Sequence, residues 1–179
     1  MICPHAAGEQ RGESHLPIAL LCLVLMERPN WILALLCPRE DSDEPQWFDP
    51  IRVMKGLFLA QNESGSEPEQ KSALKDPPYR FQPYSYGPFT QAVYVDLETL
   101  HGEGLVEGRG AGSYMVWRLT PLGLRAAREV AERLGEDGRQ RVSHARRVVL
   151  TRSFNSLLRY VYSRYPESAS RSVHTAAKA

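Results

Sequence analysis

Two glycines in the run Arg109-Gly110-Ala111-Gly112-Ser113 constrain this chain more than any other feature. They let it reverse between two short runs, Leu105 to Glu107 and Tyr114 to Leu119. On the upstream side, Thr90 to Gly102 reads as a helix with Val93, Leu97 and Leu100 on one side and Gln91, Tyr94, Glu98 and His101 on the other. Gly102 and Gly104 stop it. Downstream, Thr120 is placed to cap and Pro121 to open a helix from Leu122 to Leu134, which Gly135-Glu136-Asp137-Gly138 should end. Helix, hairpin and helix in that order are the second half of a winged helix. The expected fold class is therefore mainly α with a small β-hairpin wing (α+β), a winged helix-turn-helix with an additional C-terminal helix.

The upstream chain supplies the rest of such a domain. Asn30 to Leu36 reads as a short buried helix ended by Pro38, followed by an acidic loop from Arg39 to Trp47. Asp49 and Pro50 then open a stronger helix with Ile51, Met54, Leu57 and Phe58 as its core face. Glu63 to Pro78 is rich in Ser, Gly, Glu and Pro and reads as a mobile surface connection. Tyr79 to Tyr86 has aromatics at alternating positions, although Pro83 argues against a central strand. Beyond the wing, Leu150, Phe154, Leu157, Val161 and Tyr165 recur at steps of four and three. They predict one last helix from about Ala145 to Tyr165 whose seam packs on the domain or on a second subunit.

The expected organisation is a disordered or apolar leader over 1–25, a winged-helix domain over 26–138, a basic C-terminal helix over 139–167 and a flexible tail over 168–179. The apolar run Leu16 to Met26 is eleven residues long, too short for a spanning helix of about 20 residues. Met26 offers an alternative start that would leave this run untranslated. Cys3, Cys22 and Cys37 form no CxxC pair, which points to a reducing, cytoplasmic setting over a disulfide scaffold. Net charge is +1, but it is unevenly placed. Residues 139–179 hold nine lysines and arginines against one acid, whereas the first 138 hold thirteen against twenty acids. A basic segment of that kind either meets nucleic acid or an acidic partner, or folds back on its own acidic body.

The runs DPIRVMKGLFLAQNES, YRFQPYSYGPFTQAVYVDLETLHGEGLVE, YMVWRLTPLG and FNSLLRYVYSRYPE resemble the YwgA-like winged-helix proteins of bacteria, which are related in pattern to Panacea or SocA-like antitoxin domains. Lys55, Leu57, Phe58, Tyr86, Gly87, Pro88, Asp96, Leu97, Leu100, Trp117, Leu119, Thr120 and Gly123 stand at the positions of that pattern, which spans about Met26 to Glu167. The resemblance implies a DNA-binding type of fold, used for transcription control or as a toxin-neutralising or adaptor module, with no catalytic residues to carry over. The apolar leader and the basic C-terminal arm depart from it.

Two sites compete. For duplex DNA, Gln91, Tyr94 and His101 would face base edges and Arg109, Ser113 and Arg118 the phosphates, with Arg125, Arg128, Arg146, Arg147 and Arg152 lining a supporting face. Asp96, Glu98 and Glu103 stand against this, since acids on or beside a reading helix repel phosphate. For a protein partner, Tyr79, Phe81, Tyr84, Tyr86 and Phe89 form an aromatic patch, with a Gly-Pro core corner as the plainer reading. A homodimer would use Leu150, Phe154, Leu157 and Val161. The scattered histidines His5, His15, His101, His144 and His174, and the lack of P-loop, GxGxxG or GxSxG patterns, argue for no catalysis, cofactor or metal.

Overall fold

A computed structural model describes residues 28–38, 42, 44–65, 70–111 and 115–174. The leader over 1–25, Cys3, Cys22, Ser113 and the last five residues of the tail lie outside these. The described chain is mainly helical with two small antiparallel hairpins. In order it contains α1 (Arg28–Leu36), α2 (Pro50–Asn62), β1 (Gln82–Tyr84), β2 (Gly87–Phe89), α3 (Ala92–Gly102), β3 (Val106–Arg109) and β4 (Val116–Leu119). Then come α4 (Pro121–Arg133), α5 (Gly135–Thr151), α6 (Phe154–Arg164) and a closing 3-10 turn (Pro166–Ala169).

The centre is α1. Every residue from Trp31 to Leu36 is buried, as expected for a helix apolar on all sides. The helices α2, α3, α4 and α5 all pack on it. Gly56 of α2 lets it come close, since a β-carbon there would sit 2.6 Å from the Leu35 side chain. At the start of α2, Asp49 accepts the Arg52 amide at 2.9 Å and Pro50 fills the first turn, the local chemistry expected of that pair.

The Arg109 to Ser113 reversal joins paired strands. Val106 faces Leu119 and Arg109 faces Val116, with Val106, Trp117 and Leu119 turned into the core. Phe48 adds a third, one-residue rung: its amide donates to the Trp117 carbonyl and its carbonyl accepts from the Trp117 amide, both at 2.8 Å. Thr120 caps α4 by accepting the Gly123 amide at 3.0 Å and donates to the Gly104 carbonyl at 2.7 Å, fixing the angle between hairpin and helix. Removing this cap with Thr120→Ala is expected to cost about 1 kcal/mol, read as a lower urea midpoint with an unchanged slope.

Four expectations give way. The long last helix is two, α5 and α6, because Arg152 and Ser153 are extended and the Ser153 hydroxyl caps α6. Of Gly135-Glu136-Asp137-Gly138, only Gly135 breaks the chain, at φ +67°. Glu136 and Asp137 fall in the first turn of α5, where acids favour the helix dipole. The connection after α2 is not simply a surface loop, since Glu63 is fully buried. The tail is docked as far as His174: Val173 donates to the Ser85 carbonyl at 3.0 Å and the Ser172 hydroxyl meets that of Tyr162 at 2.7 Å. Pro83 lies, as expected, outside any central strand: it stands opposite Pro88 in a two-stranded ribbon, where neither missing amide costs a ladder bond inside a larger sheet.

Candidate functional site

The outward side of α3 carries Gln91, Val95, Glu98, Thr99 and His101, with Val95 half exposed at mid-helix. No lysine or arginine lies between Gln91 and Gly108. Tyr94 is half-buried, its ring 6.2 Å from that of Phe89. The His101 ring stands edge-on to Trp117 at 5.5 Å, and its Nδ1 lies 3.0 Å from the Val106 carbonyl. Asp96 is not a surface acid. It is buried, receiving the Tyr79 hydroxyl at 2.9 Å and the Arg28 guanidinium at 3.2 Å, so it ties α3 to the start of α1 and repels nothing outside.

On the outer face of the hairpin, Arg118 pairs with Glu107 at 2.5 Å and lies 4.4 Å over the Trp47 ring, with Arg109 on the same ring at 5.3 Å. Arg118 is thus held between a carboxylate and an indole, whereas Arg109 reaches further toward the tip. Ser113 lies outside the described residues. The supporting arginines do not form one face. Arg125 and Arg128 are exposed on α4, whose outer side also carries Glu129 and Glu132. Arg147 is exposed on α5, and Arg152 lies half-buried 4.3 Å over the Tyr160 ring. Arg146 is buried against Phe48, which takes it out of reach of a phosphate.

Much of the C-terminal positive charge is spent inside the protein. Arg141 pairs with Asp137 at 2.7 Å and donates to the carbonyls of Glu63 and Ser72 at 2.9 and 2.6 Å. The Glu63 carboxylate, at the end of α2, accepts from His144 Nε2 at 2.7 Å and the Tyr160 hydroxyl at 3.0 Å on one oxygen. Arg164 Nε at 2.7 Å and the Tyr165 hydroxyl at 3.3 Å reach the other. From the sequence, Glu63 is expected in a surface connection. No local signal marks it, because all four donors lie more than eighty residues downstream.

The aromatic patch divides. Tyr79 is buried in the core, and Phe81 is half-buried against it, packing edge-on on Phe58 at 5.4 Å. Tyr84 and Tyr86 are exposed on the β1–β2 ribbon: Tyr84 lies 4.9 Å from Phe89 on one side, and Tyr86 lies 5.9 Å from Phe154 on the other. Directly after Tyr86, Gly87 and Pro88 form a buried corner. Gly87 has φ +85°, and a β-carbon there would meet the Tyr162 ring at 3.0 Å.

Beneath that corner Lys55 is buried and donates to the Pro88 carbonyl at 2.8 Å. Burial lowers its pKa to about 7. From there up to its unfolded value of about 10.4 the unfolded chain holds the extra proton, so stability should rise with pH through that window. Lys55→Met is expected to stabilise the fold by about 1–3 kcal/mol at pH 6, where the burial cost is largest, partly offset by the unpaired Pro88 carbonyl. Thermal midpoints of the two proteins should converge as the pH approaches 10.

The proposed dimer seam is closed by the chain itself. Leu157 and Val161 have no exposed surface, while Leu150 and Phe154 are partly buried against the core. Among the described residues no group of three or more His, Cys, Asp or Glu could hold a metal ion, and no helix is long and apolar enough to cross a membrane. Cys37 is a free thiol whose pKa is raised by burial against the lowering pull of Arg146 and Arg128. No family model, curated protein or solved structure matches the chain. The likeness to YwgA-like proteins rests on the quoted motifs.

Proposed function

We propose that this protein is a winged-helix module, non-catalytic and cytoplasmic, that uses α3 and the β1–β2 ribbon to bind a protein partner without reading DNA. The winged-helix reading is supported by the order α1, Phe48, α2, α3, β3, β4, and by the two bonds that add Phe48 to the hairpin edge. The long connection between α2 and α3, with β1–β2 inside it, stands where a helix-turn-helix has a short turn.

A single observation carries the choice of partner. The exposed side of α3 offers Gln91, Val95, Glu98 and Thr99, with Glu103 at its end and no cation, beside the exposed Tyr84. A helix laid in the major groove needs cations around it to offset phosphate repulsion, and apolar and aromatic exposure instead favours a protein surface. The antitoxin or adaptor role implied by the SocA-like resemblance agrees with this.

Duplex DNA and transcriptional regulation form the second reading, favoured by Arg109 near the hairpin tip and by exposed Arg125 and Arg128. A mobility-shift titration with random-sequence duplex over a salt series, run beside nuclease-treated co-purification from the native host, separates the two. The expected result is no retained duplex at low salt and one stoichiometric protein partner. Retention that weakens steeply with salt, with no protein partner, would sink the proposal.

A further inference from the structure

We infer that the partner presents a cationic peptide segment, an arginine or lysine side chain lying on the Tyr84, Phe89 and Tyr94 rings and pairing with Glu98. This rests on the protein-partner reading above and goes beyond it in naming the chemistry recognised. The three rings form one continuous strip, with centroids 4.9 Å and 6.2 Å apart, running from the exposed Tyr84 to the outward side of α3. Glu98 stands four residues after Tyr94, one turn along the same side of the helix. It is exposed and makes no ion pair with another described residue. Asp49 adds negative potential at the Tyr94 hydroxyl, although its carboxylate is shared with Arg52 at 3.0 Å.

The protein already uses this combination twice within itself. Arg118 sits between the Trp47 ring, at 4.4 Å, and Glu107, at 2.5 Å. Arg164 sits between the Tyr160 ring, at 5.4 Å, and Glu63, at 2.7 Å. Ring and carboxylate together hold a guanidinium by cation–π attraction and a charge-assisted hydrogen bond. The half-buried Tyr94 ring and the exposed Glu98 carboxylate offer the same two components, with no lysine or arginine of their own helix to fill the place. Acidic and duplex-DNA ligands are disfavoured by the same carboxylate.

The test is an amide NMR titration of the full chain with capped hexapeptides of alternating glycine and arginine, alternating glycine and glutamate, and glycine and serine. The arginine peptide should give saturable shifts centred on Tyr84, Tyr94 and Glu98, weakening as salt is raised. Glu98→Lys should weaken it about 10-fold or more and Tyr84→Ala about 3-fold, while Glu129→Lys on α4 should leave it unchanged. Unaltered melting temperatures keep a folding defect from imitating the result. Absence of shifts with the arginine peptide overturns the inference, as does equal binding of Glu98→Lys. Shifts on the same strip from the glutamate or serine peptide would overturn the cationic chemistry and leave the protein-partner reading standing. Shifts on α3 from a short DNA duplex, with none from any peptide, would remove both.

Discussion

Glu63→Ala is expected to lower folding stability by about 3–5 kcal/mol, because it leaves a buried set of donors without their shared anion. The carboxylate is fully buried and receives four side chains, from His144 on α5, from Tyr160 and Arg164 on α6, and from Tyr165 just beyond it. His144 is itself almost fully buried, so it cannot turn to bulk solvent for a new partner. Glu63→Gln should cost less than alanine, since the amide oxygen still accepts while its nitrogen opposes a donor. Burial pushes this carboxyl upward, but the hydrogen bonds from His144 and Tyr160 and the charge and hydrogen bond of Arg164 outweigh that and hold it below the usual glutamate range. A depressed carboxyl pKa contributes stability that is fully present above the unfolded value of about 4.3 and is lost as pH falls through the folded one. Urea midpoints of wild type and Glu63→Ala should therefore stay well separated at pH 7 and draw together below about pH 4. A constant gap down to pH 3 would mean that the loss comes from packing and not from the ion network.

Gly123→Ala should be comparably damaging, on the order of 3 kcal/mol or enough to prevent folding. An added β-carbon would stand 1.8 Å from the Leu105 carbonyl oxygen and 2.7 Å from its carbon, both backbone atoms that cannot rotate away. Its helical conformation needs no glycine, so the requirement comes from close approach alone. The contact locks the first turn of α4 against the entry to the hairpin, where the Thr120 amide also donates to the Leu105 carbonyl at 3.1 Å. Gly102→Ala, with open space around its β-carbon position, is the matched control. It should be neutral or slightly stabilising by helix propensity, within about 1 kcal/mol, and circular dichroism melts of the two variants give the comparison.

What the sequence made legible were features whose chemistry is local. Asp49 with Pro50 and Thr120 with Pro121 mark two helix starts within one residue, because a cap and its amide lie three positions apart. The glycine-rich reversal marks the hairpin for the same reason, and Leu97 and Leu100 mark the buried side of α3 by period. Features that depend on distant chain were hidden. Asp96 faces inward only because Tyr79 and Arg28 meet it, from 17 and 68 residues away. The break at Arg152 and Ser153 was masked by an apolar spacing that continues through it, and the Arg152 carbonyl is used there by Arg52, a hundred residues upstream. The charge imbalance was visible, but its use was not: Arg141, Arg146 and Arg164 are absorbed by the fold, which leaves α3 without the cations the sequence total suggested.

The proposed function requires that the exposed side of α3, with the β1–β2 ribbon, meets a protein. Photo-crosslinking from single benzophenone side chains at Val95 and at Tyr84, with Arg139 on α5 as a distant exposed control, tests it most directly in the native host. One discrete protein adduct is expected from Val95 and Tyr84, resistant to nuclease and absent from Arg139. Nuclease-sensitive adducts at Val95, or an adduct from Arg139 with none from the two face positions, would contradict it.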